Sequence, residues 1–231
     1  MQFSTALVAV PAAYCETNAI IFASRKRMKP DIESVHFPSS SLSAGRCFVY
    51  VMPCAYEDIL KLGFSRDPVQ RLQTLHRRYF EFFDLDQAFL IETETVRDAR
   101  ELELTLGKAV ELHNAPAPLV VRSQAGGHTE WYRGAYGLLL QAATDLSGRG
   151  YVLHQPVRPW LRLELLAGSD RLFAWSSEMW AAIESGVLDN DTVVKLQTEL
   201  RNALDAYVAF DIDIEQLLPH AVFQWHRHDS K

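Results

Sequence analysis

Four side chains in this sequence carry groups that, together, suit work on a phosphodiester: Tyr50, Lys61, Arg71 and Glu130. Cleaving that ester needs an oriented, activated water and positive charge on the phosphoryl oxygens as negative charge builds. Arg71 supplies the fixed cation, and Tyr50 and Lys61 are the groups that orient or deprotonate water. A tyrosine acts as a base near neutral pH only if a neighbouring cation favours its phenolate. Glu130 adds a carboxylate, flanked by Trp131 and Tyr132 after a loop rich in Pro, Gly and Ala at 114–127. Gly63, eight residues before Arg71, has no side chain and lets a phosphate approach the backbone closely.

Two strands and a helix must position these groups. Cys47 to Met52 and Ile59 to Phe64 alternate as strands, and the short link between them suits an antiparallel hairpin. Phe48, Tyr50 and Met52 then share a face; Leu60, Leu62 and Phe64 share one too, with Lys61 and Gly63 pointing the other way. Asp67 and Pro68 open a helix as N-cap and first residue. Its periodicity runs through Val69, Leu72, His76 and Tyr79, and places Arg71, Thr74 and Arg78 on another face. Gly63, Arg71, His76, Arg77 and Arg78 are the expected nucleic-acid contacts, following the backbone without reading sequence.

Charge patterning points the same way. The net charge of −6 argues against a non-specific nucleic-acid coat protein. It is nevertheless segregated: Lys61 to Arg78 holds five basic residues against one acidic, and Glu81 to Glu103 eight acidic against two basic. With 48% hydrophobic and 23% charged residues the chain can bury a core. Its three cysteines, Cys15, Cys47 and Cys54, form no CxxC pair and suggest neither a disulfide framework nor a zinc site. That fits a reducing, cytoplasmic setting, and no apolar run has the length of a membrane span. Phe3 to Tyr14 is apolar but lacks the preceding basic residues of a secretory signal; Met28 offers a second start, and 29–43 reads as a linker.

The motifs resemble the GIY-YIG nuclease superfamily, in particular its divergent phage and bacterial DNA-binding subgroup. Phe48-Val49-Tyr50 is similar to the first motif and Lys61-Leu62-Gly63 to the second, which often reads KIG in that subgroup. Arg71 keeps the eight-residue interval, and Thr129-Glu130-Trp131-Tyr132 is similar to a GEWF-like segment carrying the metal-binding glutamate. The resemblance implies Mg²⁺ or Mn²⁺ held by Glu130, with Tyr50, Lys61, Arg71 and Glu130 catalytic in DNA phosphodiester hydrolysis. Two positions depart from it: Lys61 stands where a tyrosine is frequent, and Gly107 where the LExxLH helix, here Leu102 to Gly107, has histidine. These departures motivate an alternative, a DNA-binding module of the same fold that does not cut. A third reading makes the acidic C-terminal helices a protein-interaction surface.

The architecture expected is α+β. A small three-stranded antiparallel sheet, its third strand near Gln87 to Glu92, is flanked by helices within 46–147. One helix opens at Thr95 and runs to about His113; another spans Gly134 to Leu146. After an extension at 1–45 and this domain comes a mainly helical region at 148–231. There, Tyr151 to Leu166 reads as extended, and helices are expected near Ser176 to Glu184, Asp191 to Phe210 and Ile212 to Leu218. His226 to His228 read as a frayed tail, and Trp175, Trp180 and the stripe Val194 to Tyr207 as core.

Overall fold

The hairpin of Cys47–Pro53 (β1) and Ile59–Ser65 (β2) forms the centre of the fold, with Tyr50 paired to Gly63 and Met52 to Lys61. A computed structural model describes residues 45–121 and 128–228. The N-terminal expectations, and much of the loop before Glu130, lie outside the described residues.

The class is α+β, but the sheet has five strands rather than the expected three. Phe89–Thr93 (β3), Trp131–Arg133 (β4) and Leu153–His154 (β5) join the hairpin in the order β4-β2-β1-β3-β5, every pair antiparallel. The two extra strands are edges of three and two residues, too short to show an alternating period. Positions on both sides of residue 148 thus share one sheet: β5 pairs with β3.

Alternation sets the two faces of the sheet. Val49, Val51, Leu60 and Leu62 pack against Ala99, Leu102 and Leu106 of Val96–Ala109 (α3) and Leu139 and Ala143 of Tyr136–Ser147 (α4). Burying each such leucine contributes about 1.5–3 kcal/mol. Thr95 caps α3 as its sequence suggests, accepting from the Asp98 amide at 3.1 Å. α3 stops at Ala109 and a 3-10 turn at Glu111–His113 completes the expected helix.

The opposite face carries Phe48, Tyr50, Met52 and Lys61. Pro68–Leu75 (α1) contacts β2 there, capped by Asp67, whose carboxylate accepts from the Gln70 amide at 2.9 Å. The helix does not continue to Tyr79 as its periodicity predicts. His76 is extended (φ −150, ψ 130), its ring stacked 4.5 Å from Phe82, and a separate turn, Tyr79–Phe82 (α2), buries Tyr79 and Phe80. Tertiary burial overrides the local period here.

Residues 151–166 are also not extended beyond β5. Arg158–Ala167 (α5) is helical because Pro159 falls in its first turn, where a missing amide costs nothing. Trp160 packs edge-on against Phe48 at 5.0 Å. Ser169–Glu184 (α6) begins earlier than expected, and Asn190–Ala209 (α7) buries Leu196, Leu200, Leu204 and Tyr207 while leaving Val194 exposed. Ile212 to Leu218 holds only a 3-10 turn at Glu215–Leu217. The expected tail is a helix, His220–His228 (α8), with His226 buried and bonded to Asp205 of α7 at 2.8 Å. No helix among the described residues is long and apolar enough to cross a membrane.

Candidate active site

Register explains why position 63 is glycine. Tyr50 lies directly across the ladder and its ring covers Gly63; a Cβ there would stand 2.6 Å from Tyr50 Cζ. The ring is rigid and its residue only 1% exposed, so it has nowhere to move. The glycine is therefore explained by the tyrosine before any phosphate is considered.

Tyr50 reaches α1. Arg71 Nε donates to its hydroxyl at 3.1 Å, leaving the phenolic proton free to donate elsewhere. Burial pushes the Tyr50 phenol above its ordinary value, and the charge and hydrogen bond of Arg71 oppose this without overcoming it. The expected phenolate is thus a neutral phenol near neutral pH. Desolvation of a group this deeply buried outweighs one adjacent cation.

Lys61 is almost fully buried, at 1% exposure. Its Nζ donates to Glu130 Oε2 at 2.8 Å and lies 5.8 Å from the Trp131 ring centroid. Burial lowers its pKa, while Glu130 works in the opposite direction. For Glu130, burial pushes the carboxyl up, but hydrogen bonds from Lys61 and Thr129 and the charge of Lys61 outweigh it and hold the group below the usual carboxylate range. Thr129 Oγ1 lies 2.6 Å from Glu130 Oε1. Both carboxylate oxygens thus have partners, although the Glu130 side chain is 36% exposed.

Glu130 arrives here through strand pairing. Its carbonyl accepts from the Leu62 amide at 3.1 Å, and Lys61 pairs with Trp131 in the ladder. Asn114 Nδ2 donates to the Thr129 carbonyl at 2.9 Å and the Ala115 amide to that of Trp131 at 2.8 Å, fixing the approach to β4. Tyr50, Lys61, Arg71 and Glu130 form one electrostatic cluster: Tyr50 and Lys61 both feel the charges of Arg71 and Glu130.

Of the other expected nucleic-acid contacts, Gly63 lies under the Tyr50 ring, and Arg77 and Arg78 are engaged by α7. Arg77 is ion-paired to Glu199 of α7. Arg78 donates to Glu81 at 2.6 Å and to Asp205 of α7 at 2.7 Å, and lies 4.9 Å over the Phe80 ring. The break at His76 redirects the chain after Leu75, so the predicted common face of Arg71 and Arg78 does not form.

Two groups were missed at the sequence level. Glu103 of α3 interacts electrostatically with Glu130, Lys61 and Arg71; burial first, and Glu130 second, push its carboxyl above the usual range. Its signal was its place beside the buried stripe of Ala99, Leu102 and Leu106, an unusual margin for an acid. Tyr132 is the other. Its hydroxyl stands 3.0 Å from where a Cβ at Gly107 would lie, so the phenol fills the space beside the position where histidine was expected.

Glu103, Gly107, Glu130 and Tyr132 border a groove of about 520 Å³. Among the described residues no group of three or more His, Cys, Asp or Glu side chains is arranged to enclose a metal ion. The chain matches no family model, no curated protein and no solved structure.

Proposed function

We propose that this chain is a metal-dependent DNA endonuclease of the GIY-YIG type. The observation that supports the reading best is the meeting of two hydrogen-bonded pairs, Arg71 with Tyr50 and Lys61 with Glu130, from β1, β2, α1 and the start of β4. Three consecutive elements and a fourth, 69 positions beyond Lys61, contribute one acid, two cations and a neutral phenol to a single cluster. Glu130 would hold Mg²⁺ or Mn²⁺. Its partly exposed carboxylate beside an acidic groove suits an ion that keeps most of its waters and takes one or two carboxylates. When bound, such an ion supplies Lewis-acid charge at the phosphoryl oxygens.

The residues then divide the work. A water oxygen bonds to phosphorus while the ester P–O bond breaks; its electron pair leaves on the departing oxygen, which takes up a proton as the water loses one. Neutral Tyr50, its oxygen fixed by Arg71, orients that water with its free O–H. Arg71 meets the charge that develops on the phosphoryl group. Lys61 holds the Glu130 carboxylate in place and adds a buried positive charge.

The test is nicking of supercoiled plasmid with Mg²⁺ or Mn²⁺, comparing the wild-type chain with Glu130→Ala and Arg71→Ala. Cleavage by wild type that both substitutions abolish is the expected result; cleavage that survives both rejects the reading. A second reading, a DNA-binding module that does not cut, draws on the full engagement of the Glu130 carboxylate by Lys61 and Thr129. Salt-sensitive retention of DNA without nicking would favour it.

A further inference from the structure

Glu130 stands one residue before β4, and the chain there has two edges. The inner edge meets β2, where the Leu62 amide donates to the Glu130 carbonyl at 3.1 Å. The outer edge presents the carbonyls of Thr129, Trp131 and Arg133, because successive carbonyls of extended backbone point to opposite sides. One short stretch, His113 to Ala115, takes all three. Asn114 Nδ2 donates to the Thr129 carbonyl at 2.9 Å and the Ala115 amide to the Trp131 carbonyl at 2.8 Å. His113 Nδ1 lies 2.9 Å from the Arg133 carbonyl oxygen, to which it can only donate. Two of the three donors are side chains, and only an isolated bridge, Asn114 with Tyr132, relates the stretch to β4 as a strand would be. A backbone donor survives most substitutions, whereas the bond nearest Glu130 depends on the amide of Asn114.

Thr129 reaches Glu130 a second way. Its Oγ1 lies 2.6 Å from Glu130 Oε1, while Lys61 Nζ donates to Oε2 at 2.8 Å. An ionised carboxylate only accepts, so the threonine hydroxyl is the donor. A partly exposed glutamate held at one oxygen keeps much of its rotamer freedom, and a second bond removes it. One series of hydrogen bonds therefore runs from the turn after α3, through Asn114, Thr129 and Glu130, to Lys61 within the sheet.

We propose that Asn114 and Thr129 are positioning residues for Glu130: Asn114 fixes the backbone at Thr129, and the Thr129 hydroxyl fixes the carboxylate oxygen that Lys61 does not bond. A carboxylate oriented in advance loses less freedom when it meets its ligand. The benefit to ester cleavage rests on the nuclease reading; the ordering of the side chain does not.

The test uses the full chain. Rotamer averaging at Glu130 is read, without metal or DNA, from three-bond nuclear magnetic resonance couplings about its Cα–Cβ bond, and plasmid nicking is then measured with Mg²⁺. Wild type is expected to hold one Glu130 rotamer. Thr129→Val, which keeps the shape and loses the hydroxyl, and Asn114→Ala should both show averaged couplings. Their kcat should fall roughly 10- to 100-fold at unchanged KM, and Thr129→Ser should restore the wild-type couplings and rate. His113→Ala frees the far end of the same edge; it should lower the melting temperature and leave the Glu130 couplings unaveraged, which separates positioning from general support of β4. Circular dichroism establishes that each variant is folded. A single rotamer retained in Thr129→Val and Asn114→Ala, averaging already present in wild type, or failure of Thr129→Ser to restore order overturns the inference. Nicking by wild type together with unaveraged couplings in both variants rejects the positioning role and leaves the nuclease reading standing. Averaged couplings in both variants without nicking by any preparation do the reverse.

Discussion

Arg71 and Arg78 come from one short basic segment, yet they have opposite surroundings. Arg71 reaches into the sheet and holds a buried phenol. Arg78 turns outward, where Asp205 of α7 and Glu81 of α2 neutralise it. The difference begins at His76, whose extended backbone ends α1 and sends the chain toward the C-terminal helices. A run of like charges in a sequence is therefore not a surface. One arginine of this run belongs to the candidate site, and Arg77 and Arg78 help attach the C-terminal helices.

Substitutions at the two arginines should separate these roles. The largest effect is expected at the site: Arg71→Ala should lower nicking roughly 100- to 1000-fold and, by taking its partner from the buried Tyr50 hydroxyl, cost about 1–3 kcal/mol of stability, whereas Arg78→Ala should leave nicking intact. Equal losses of activity in the two would remove the distinction. Next comes Gly63→Ala, which drives a methyl into the Tyr50 ring and should cost about 1–3 kcal/mol in urea unfolding. An unchanged unfolding midpoint would mean that the ring yields more readily than its burial indicates.

Arg78→Ala should itself destabilise by about 0.5–1 kcal/mol, since its ion pairs are partly exposed. The loss should shrink in high salt. The smallest effect concerns the acid that the sequence reading missed. The Glu103 carboxyl is raised from 4.5, so its ionised form disfavours folding above that value. Glu103→Gln should therefore raise the melting temperature slightly at pH 7, and the advantage should fade as pH falls from the raised folded value toward 4.5, below which both states are protonated. A constant advantage across that range would assign the effect to something other than charge.

Much of the centre of the molecule was legible beforehand, because local rules govern it. Alternation gave the faces of β1 and β2, and Asp67 and Thr95 cap the helices their spacing suggests. What was not legible depends on distant partners. β4 and β5 are strands only because β2 and β3 offer them edges. The polar sequence His226 to His228 reads as a tail until Asp205 stands opposite His226. The segment after Gly150 misled because its two prolines suggest extension, whereas Pro159 begins a helix whose Leu161 and Leu165 are buried at helical spacing. Arg77 shows the same limit for charge: composition located it, but only packing against Glu199 showed where it points.

The three residues of β4 also set an order in time. Lys61 and Glu130 are 69 positions apart, so neither local helix formation nor closure of the hairpin brings them together. A chain emerging from the ribosome can complete β1, β2 and α1, with Arg71 on Tyr50, long before residue 130 is synthesised. The carboxylate joins only when β4 docks on the edge of β2, and it leaves if that short strand frays. The capacity for chemistry is thus tied to one short edge of the sheet, and a chain that ends before it carries the cations of the site without Glu130.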